Sequence, residues 1–438
     1  MKRIAASVGL IAFGASGLQA ADTANLSSMQ TTKPWSVSAT LRGFYDDNIN
    51  TTPNSKVSAF GYEISPSLGV GVSGEQTSAS ASYTFSGKYY DHQPLGSSDK
   101  WDQSHMFDAG LSHTFSPRYH VGVKDSFVIG QEPDILRAGN TYSTFQRISG
   151  DNMRNYGSIV FTAEVTPLLG FEVGYANSWY DYDDEGVTAA ANGDVVASRS
   201  GILDRMEQAG HIDSRWHFSP QTTGVFGYQY GQTDYQGDEV IQGTVTPTGP
   251  TGITSKVRNS RSHYLYGGVE HGFTPDLSGS LRLGAQYIDF YKDPTSENDW
   301  SPYVQASVRY TYNVESSAEL GIVHQRAAAD IVGPSGPQPA GDFIRDQQAT
   351  TVYGSLIHRI MPNLFGSLMG TYQYSTFNGG TGFDEEADNF YLVGVNFEYR
   401  FNPHLSAHTG YNYDRHESDI AGRGFSRNRV YIGVTAAY

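Results

Sequence analysis

The chain contains no cysteine, so no disulfide ties it together; that absence is compatible with an oxidising compartment but does not by itself assign one. Beyond the first twenty residues, no stretch approaches the roughly 18 apolar residues that a membrane-crossing helix needs. Basic residues are in deficit: 29 Lys and Arg stand against 45 Asp and Glu, a formal charge of −16. That balance argues against a nucleic-acid partner, which would need a positive footprint. The Gly-x-Ser-x-Gly turn of serine hydrolases, the Asp-x-Asp-x-Asp-Gly spacing of calcium loops and His-rich metal spacing are all missing.

In their place the chain has 30 Tyr, 22 Phe and 49 Gly, and one short pattern that recurs. An aromatic or aliphatic residue is followed by a small polar residue (once Met) and then proline. It appears as Phe115-Ser116-Pro117, Val165-Thr166-Pro167, Phe218-Ser219-Pro220, Phe273-Thr274-Pro275, Ile360-Met361-Pro362 and Phe401-Asn402-Pro403. Proline presets φ near −65° and lacks a donor, which suits the first central position of a tight turn. Apolar and polar residues alternate on both sides of each copy, so each reads as a hairpin and the set as one sheet built from a repeated unit.

Period-2 alternation predicts about eighteen strands, at 35–46, 58–72, 76–91, 102–115, 119–130, 152–165, 170–182, 203–218, 221–235, 259–273, 277–291, 300–313, 317–329, 347–360, 364–377, 388–401, 405–415 and 427–438. The eight short and nine long connections between them alternate, which places both termini of the sheet on the short-turn side. Low average hydrophobicity, many aromatics and strict alternation fit an all-β, transmembrane, antiparallel up-and-down β-barrel with short periplasmic turns and long extracellular loops. Sixteen strands is the alternative count, and a soluble sandwich or propeller the competing architecture.

Met1 to Ala20 reads as a secretory signal, with Lys2 and Arg3 ahead of a small apolar stretch and Leu18-Gln19-Ala20 before the cut. Residues 21–34 form a polar periplasmic lead-in, and 35–438 the barrel in the outer membrane of a Gram-negative-type cell. The last strand puts Val430, Ile432, Val434, Ala436 and Tyr438 on one face, and its terminal aromatic resembles the signal by which such barrels reach the assembly machinery. Outer-membrane lipid and lipopolysaccharide are the remaining expected partners.

The two faces of the strands differ. In 203–218, Met206, Gly210, Ile212, Trp216 and Phe218 form an apolar face, and Arg205, Glu207, His211, Asp213, Arg215 and His217 the other. A lipid-facing Arg or Lys at the bilayer midplane costs roughly 2–4 kcal/mol, so the charged set is assigned to the interior. The same rule places Arg282, Arg309, Glu398 and Arg400 inside. These ten are the candidate pore-lining residues, read either as a charged pore wall or as an ion-pair ladder that rigidifies the barrel. Pro66 inside the second strand demands a bulge or break. Asp125 falls on the lipid face and calls for a bulge or a place near the outer rim.

A barrel of this size leaves a channel unless something plugs it, and loops 131–151, 183–202 and 236–258 are long enough to fold inward. Asp91-His92 and Asp414-Arg415-His416-Glu417 are the candidate catalytic groupings, of a kind common on wet surfaces; no catalytic, cofactor or metal residues are assigned. The acidic stretches Asp181-Tyr182-Asp183-Asp184-Glu185, Asp238-Glu239 and Asp384-Glu385-Glu386 read as solvated loops, with calcium bridging to lipid phosphates as the minor alternative.

Tyr45-Asp46-Asp47-Asn48-Ile49, then Tyr62-Glu63-Ile64-Ser65-Pro66-Ser67-Leu68, together with the repeated Phe-Ser-Pro turns, resemble the β-barrel porin family associated with exopolysaccharide systems. The resemblance implies an outer-membrane barrel serving general diffusion or polysaccharide export, with no catalytic residues to carry over. The expected function is passive passage of small polar solutes or saccharides. The alternatives are a closed barrel with a structural or export-accessory role and, third, an outer-membrane hydrolase.

Overall fold

The computed structural model describes residues 34–94, 100–131, 141–145, 152–183, 186–295, 298–333, 342–380 and 382–438. The expected signal sequence, and the lead-in up to residue 33, lie outside them. Among the described residues, eighteen antiparallel strands form one sheet. They are β1 (Trp35–Asp46), β2 (Ala59–Ser73), β3 (Thr77–Tyr90), β4 (Trp101–Ser116), β5 (Tyr119–Gly130), β6 (Asn152–Glu164), β7 (Leu169–Tyr182), β8 (Arg205–Ser219), β9 (Thr222–Tyr235), β10 (Ser260–Thr274), β11 (Leu277–Asp289), β12 (Asp299–Asn313), β13 (Ser316–Ala327), β14 (Asp346–Met361), β15 (Leu364–Asn378), β16 (Ala387–Asn402), β17 (Leu405–Ser418) and β18 (Phe425–Ala437). Each pairs with the next, and β1 pairs with β18 from Ser38↔Ala437 to Asp46↔Arg429, so the sheet closes on itself. The expected eighteen strands are all present, with ends shifted by three residues at most.

The recurring proline motif builds the short turns. Where Phe115, Phe218, Phe273, Ile360 and Phe401 stand, the strand register skips one residue, the mark of a bulge. The skipped side chains are exposed at the rim. The polar residue that follows closes the turn: Ser116 Oγ accepts from the Arg118 amide at 3.2 Å, Thr274 Oγ1 from Leu277 at 3.0 Å and Asn402 Oδ1 from His404 at 2.8 Å. Aromatic, turn-capping side chain and proline therefore each have a separate task.

Pro66 needs neither a bulge nor a break. β2 continues through it, and the register to β3 is the same on both sides, Ile64↔Gly87 and Ser67↔Thr84. Only the ladder is interrupted, and Ser65 Oγ donates to the Phe85 carbonyl at 2.9 Å in its place. Asp125 is likewise not displaced by a bulge, because β4 and β6 pair evenly past it. It sits mid-strand, exposed on the outward face, where the Asn155 amide donates to it at 3.1 Å.

That outward face carries exposed Leu68, Val70, Phe107, Ile212, Leu265, Leu283, Val393, Ile432 and other large apolar groups. On a water-exposed surface, a continuous apolar belt would drive association, whereas lipid matches it. The seam between first and last strands is stapled by the Asp-Asn motif. Asp46 Oδ2 accepts from Arg427 Nη2 at 2.6 Å, and Asp47 accepts from the backbone and side-chain amides of Asn428 at 2.7 and 2.6 Å. The buried Asn48 amide donates to the Ser426 carbonyl at 3.1 Å.

Candidate functional site

Alternation along β8 turns Ile212, Trp216 and Phe218 outward and places Arg205, Glu207, His211, Asp213, Arg215 and His217 on the inner wall. There, neighbouring strands bring them partners. Arg215 forms a two-pronged pair with Glu270 on β10, at 2.6 and 3.2 Å, and lies 3.6 Å from Glu172 on β7. Arg282 on β11 reaches the same Glu270 at 3.1 Å and Asp213 at 3.8 Å. Asp213, fully buried, accepts from the Tyr266 hydroxyl at 2.6 Å. His211 stands 3.6 Å from Glu172, and His217 Nε2 is 2.9 Å from Glu164. The result is a belt of opposite charges across β6 to β11.

The other predicted residues fall into separate groups. Arg205 pairs with Glu207 at 2.6 Å and donates to the Leu203 carbonyl at 2.9 Å, with its guanidinium over the Tyr180 ring. Arg309 is half exposed and 3.7 Å from Glu319. Near the short turns, Glu398 pairs with Arg400 at 3.1 Å, while Arg400 lies over the Phe365 ring. Sequence reasoning missed Glu164, Glu172, Tyr266 and Glu270. Their inward parity was readable, but which residues face each other depends on the register between strands.

One segment crosses the interior. Thr141–Phe145, from the loop between β5 and β6, is held against β14 to β18. The Tyr142 amide donates to Gln373 Oε1 at 2.8 Å, and its carbonyl accepts from Gln347 at 3.0 Å and Gln373 at 2.9 Å. Phe145, 1% exposed, stacks on Phe390 at 4.5 Å and leans on His416 at 4.8 Å, within an apolar cluster that includes Met369, Leu392 and Phe425. On the other side, Ser143 Oγ accepts from Arg205 at 2.9 Å. β8 and β15 are seven strands apart in a ring of eighteen, so this strap bridges nearly opposite walls. Loop 131–151 is thus the one that folds inward among its described residues.

The other two long loops form a roof instead. A hairpin (Val240–Thr246 with Gly249–Thr254) and a short helix (Arg199–Leu203) meet the loop before β14 in an apolar cluster of Ile241, Val332 and Phe343, with Ile202 and Ile253 against it. Arg258 ties the three loops together by donating to the carbonyls of Ile202 at 3.1 Å, Ala329 at 2.5 Å and Arg345 at 3.4 Å. Nearby, burial pushes the Asp293 carboxyl up. The hydroxyl and amide of Thr295 and the Arg345 guanidinium outweigh this and hold it below the usual carboxylate value.

Two spaces remain. One, of about 140 Å³, lies between the strap and the wall of β6 to β14 and is lined by arginines and tyrosines. The other, of about 760 Å³, lies toward the short turns inside β1 to β6 and is lined largely by glycine and serine, with Lys124. Of the candidate catalytic histidines, His416 is buried 3.0 Å from Asp388 under the strap, and His92 is exposed beside Asp91 at 2.9 Å. In the acidic stretches, Glu239 accepts from Ser198 and Ser200, and Asp238 pairs with Lys256; Asp184 and Glu185 lie outside the described residues. Among the described residues, no group of three acidic or histidine side chains converges as a metal site would require.

Residues 255–438 match the family model described as "Putative beta-barrel porin 2". The match covers all of β10 to β18 and the five residues ahead of β10, and agrees with the family resemblance of the strand and turn motifs. No curated protein matches the chain. Solved structures similar to it include OccAB4 from Acinetobacter baumannii, at 12% identity, with 93% of this chain and 99% of that one covered and a TM-score of 0.45. The outer membrane protein OpdK from Pseudomonas aeruginosa also aligns, at 12% identity over 92% of this chain and 99% of its own, TM-score 0.42. The siderophore receptor PirA from Acinetobacter baumannii aligns at 9% identity, over 93% and 81%, with a TM-score of 0.46.

Proposed function

We propose that the protein is a porin-like channel of the outer membrane that passes small polar solutes or saccharides without chemical change. The observation that carries this reading is the pair of spaces on the inner wall, one beside the strap and one toward the short turns. A barrel built only for support has no need of internal room on both levels. The inward arginines and carboxylates would then tune passage by charge, and the strap would set the width. In the same reading, the apolar belt meets outer-membrane lipid, the long loops meet lipopolysaccharide, and the strand ending in Tyr438 addresses the assembly machinery.

A second reading is favoured by one observation: the inner-wall arginines on β8 and β11 are already matched to carboxylates. A closed barrel stiffened by those pairs would serve as a structural or polysaccharide-export accessory. Single-channel recording of the refolded protein in a planar bilayer separates the two. Stepwise stable openings are expected. A folded, heat-modifiable barrel that carries no current overturns the channel and leaves the closed barrel.

A further inference from the structure

Two strands, six apart in the ring of eighteen, carry the same pattern on their outward faces. On β4 it runs His105, Phe107, Ala109, Leu111, His113; on β10 it runs His263, Leu265, Gly267, Val269, His271. Each is a short apolar run with a histidine at either end. The histidines of a strand stand eight positions apart, roughly 26 Å along it. At a tilt of about 40° this is on the order of 20 Å across the membrane, against an apolar band about 25 Å tall, so the imidazoles bracket most of the band.

The groups that hold these rings repeat as well. At the long-loop end a tyrosine hydroxyl from the preceding strand meets Nδ1, Tyr83 to His105 at 2.9 Å and Tyr228 to His263 at 2.8 Å. At the short-turn end a threonine directly opposite in the register does so, Thr77 to His113 at 2.7 Å and Thr222 to His271 at 2.9 Å. The two short-turn rings stand edge-on to Phe115 and Phe273, with centroids 4.4 and 4.7 Å away. Thr222 Oγ1 accepts from Ser219 Oγ at 3.1 Å, which leaves its own proton for His271 Nδ1. A hydroxyl that donates to Nδ1 keeps the ring's proton on Nε2. Among the described residues, no protein group meets Nε2 of any of the four. What repeats is therefore a donor oriented by the wall and left free at each edge of the apolar band.

We propose that these four histidines are lipid-headgroup sites. Each donates from Nε2 to a phosphate oxygen of a membrane lipid, and the two strands together fix the depth of the barrel in the bilayer. Phosphate is favoured over the ester carbonyls because an ionised acceptor makes a hydrogen bond about twice as strong. His404, at the same rim, is outside the set, since its Nδ1 donates to the Ala437 carbonyl at 3.0 Å. The sites lie on the outer side of the wall and do not depend on whether the barrel conducts.

The test refolds the full-length protein into bilayers of phosphatidylcholine and of digalactosyldiacylglycerol with the same acyl chains. Neither lipid has net charge, and only the first has a phosphate. Urea midpoints are compared between the two bilayers. The parent is expected to unfold at higher urea in phosphatidylcholine. Replacing all four histidines by phenylalanine keeps the rings but removes the N–H, and should erase most of that difference. Thr77→Val combined with Thr222→Val keeps the imidazoles but removes the hydroxyls that orient two of them. It should shrink the difference, and it carries the test if the histidine variant does not fold. A difference between bilayers that is the same in parent and variants would overturn the proposal. So would inorganic phosphate that raises the parent's midpoint in the galactolipid as far as phosphatidylcholine does, because the sites would then hold a free anion and not a lipid.

Discussion

Phe145→Ala tests whether the strap sets the width of the lumen. Phe145 is 1% exposed, stacked on Phe390 at 4.5 Å and tilted against His416 at 4.8 Å. Truncating a buried phenylalanine costs about 3–5 kcal/mol, because the lost transfer energy and the cavity add. Here the barrel's own hydrogen-bond ladder is untouched, so the cost falls on the strap's latch and not on the fold. At tenfold per 1.4 kcal/mol, the released state should gain between two and three and a half orders of magnitude in weight relative to the latched one. The bonds from Gln347 and Gln373 to Tyr142 remain and set how much of that appears as full opening. Single-channel current is expected to become larger or to flicker between two levels, while heat modifiability on gels stays as in the parent. Currents indistinguishable from the parent in size and noise would show that the strap does not limit passage.

Three more outcomes follow from individual contacts. Glu270→Gln weakens the pairs at 2.6 and 3.1 Å that hold Arg215 and Arg282, and should destabilise the barrel by about 3–5 kcal/mol in a bilayer unfolding titration; an unchanged midpoint contradicts the belt as a stabilising element. Asp125→Leu replaces an exposed carboxylate on the apolar belt and should raise stability in the same titration, by somewhat less than the 2–4 kcal/mol known for Arg or Lys. A loss of stability would mean that this carboxylate is not facing lipid. Asp293 has its carboxyl held below the ordinary 3.8, so its bond to Arg345 stabilises the roof above that pH and is lost as pH falls through the lower folded-state value. Proteolysis of the outer loops should therefore rise in strong acid, and Asp293→Asn should remove that acid-dependent part while raising cleavage at neutral pH.

The fold was legible because a barrel strand declares itself twice, by alternation along its length and by the turn that ends it. Phe115-Ser116-Pro117 and its counterparts marked both, and the strand ends moved by three residues or fewer. The inward parity of Arg205 to His217 was readable for the same reason. What stayed hidden depends on pairing between distant strands. Nothing in the sequence says that Glu270 lies between Arg215 and Arg282, because that requires three pairing registers across four strands at once. Nor does it say that the loop after β5, and not the two other long ones, turns inward. Its anchors, Gln347, Gln373 and Phe390, are some two hundred residues away. Pro66 and Asp125 were misjudged because local rules invoked a bulge or a rim position, whereas one hydroxyl bond from Ser65 and one amide from Asn155 accommodate them.

The stapled seam has a consequence for chain order. Val37 and Tyr438 exchange backbone hydrogen bonds at 3.2 and 2.8 Å, and the rings of Trp35 and Tyr438 are 5.7 Å apart. The two ends of the barrel therefore lie side by side at the short-turn rim, in the relation of any other hairpin. A brief linker would convert that junction into a ninth short turn, and the chain could then be cut at one of the other eight. The barrel is in this sense a ring with an arbitrary starting point. A circular permutant opened between Pro220 and Gln221 should fold to the same wall, with Asp46, Asp47 and Asn48 fastening what has become an internal joint.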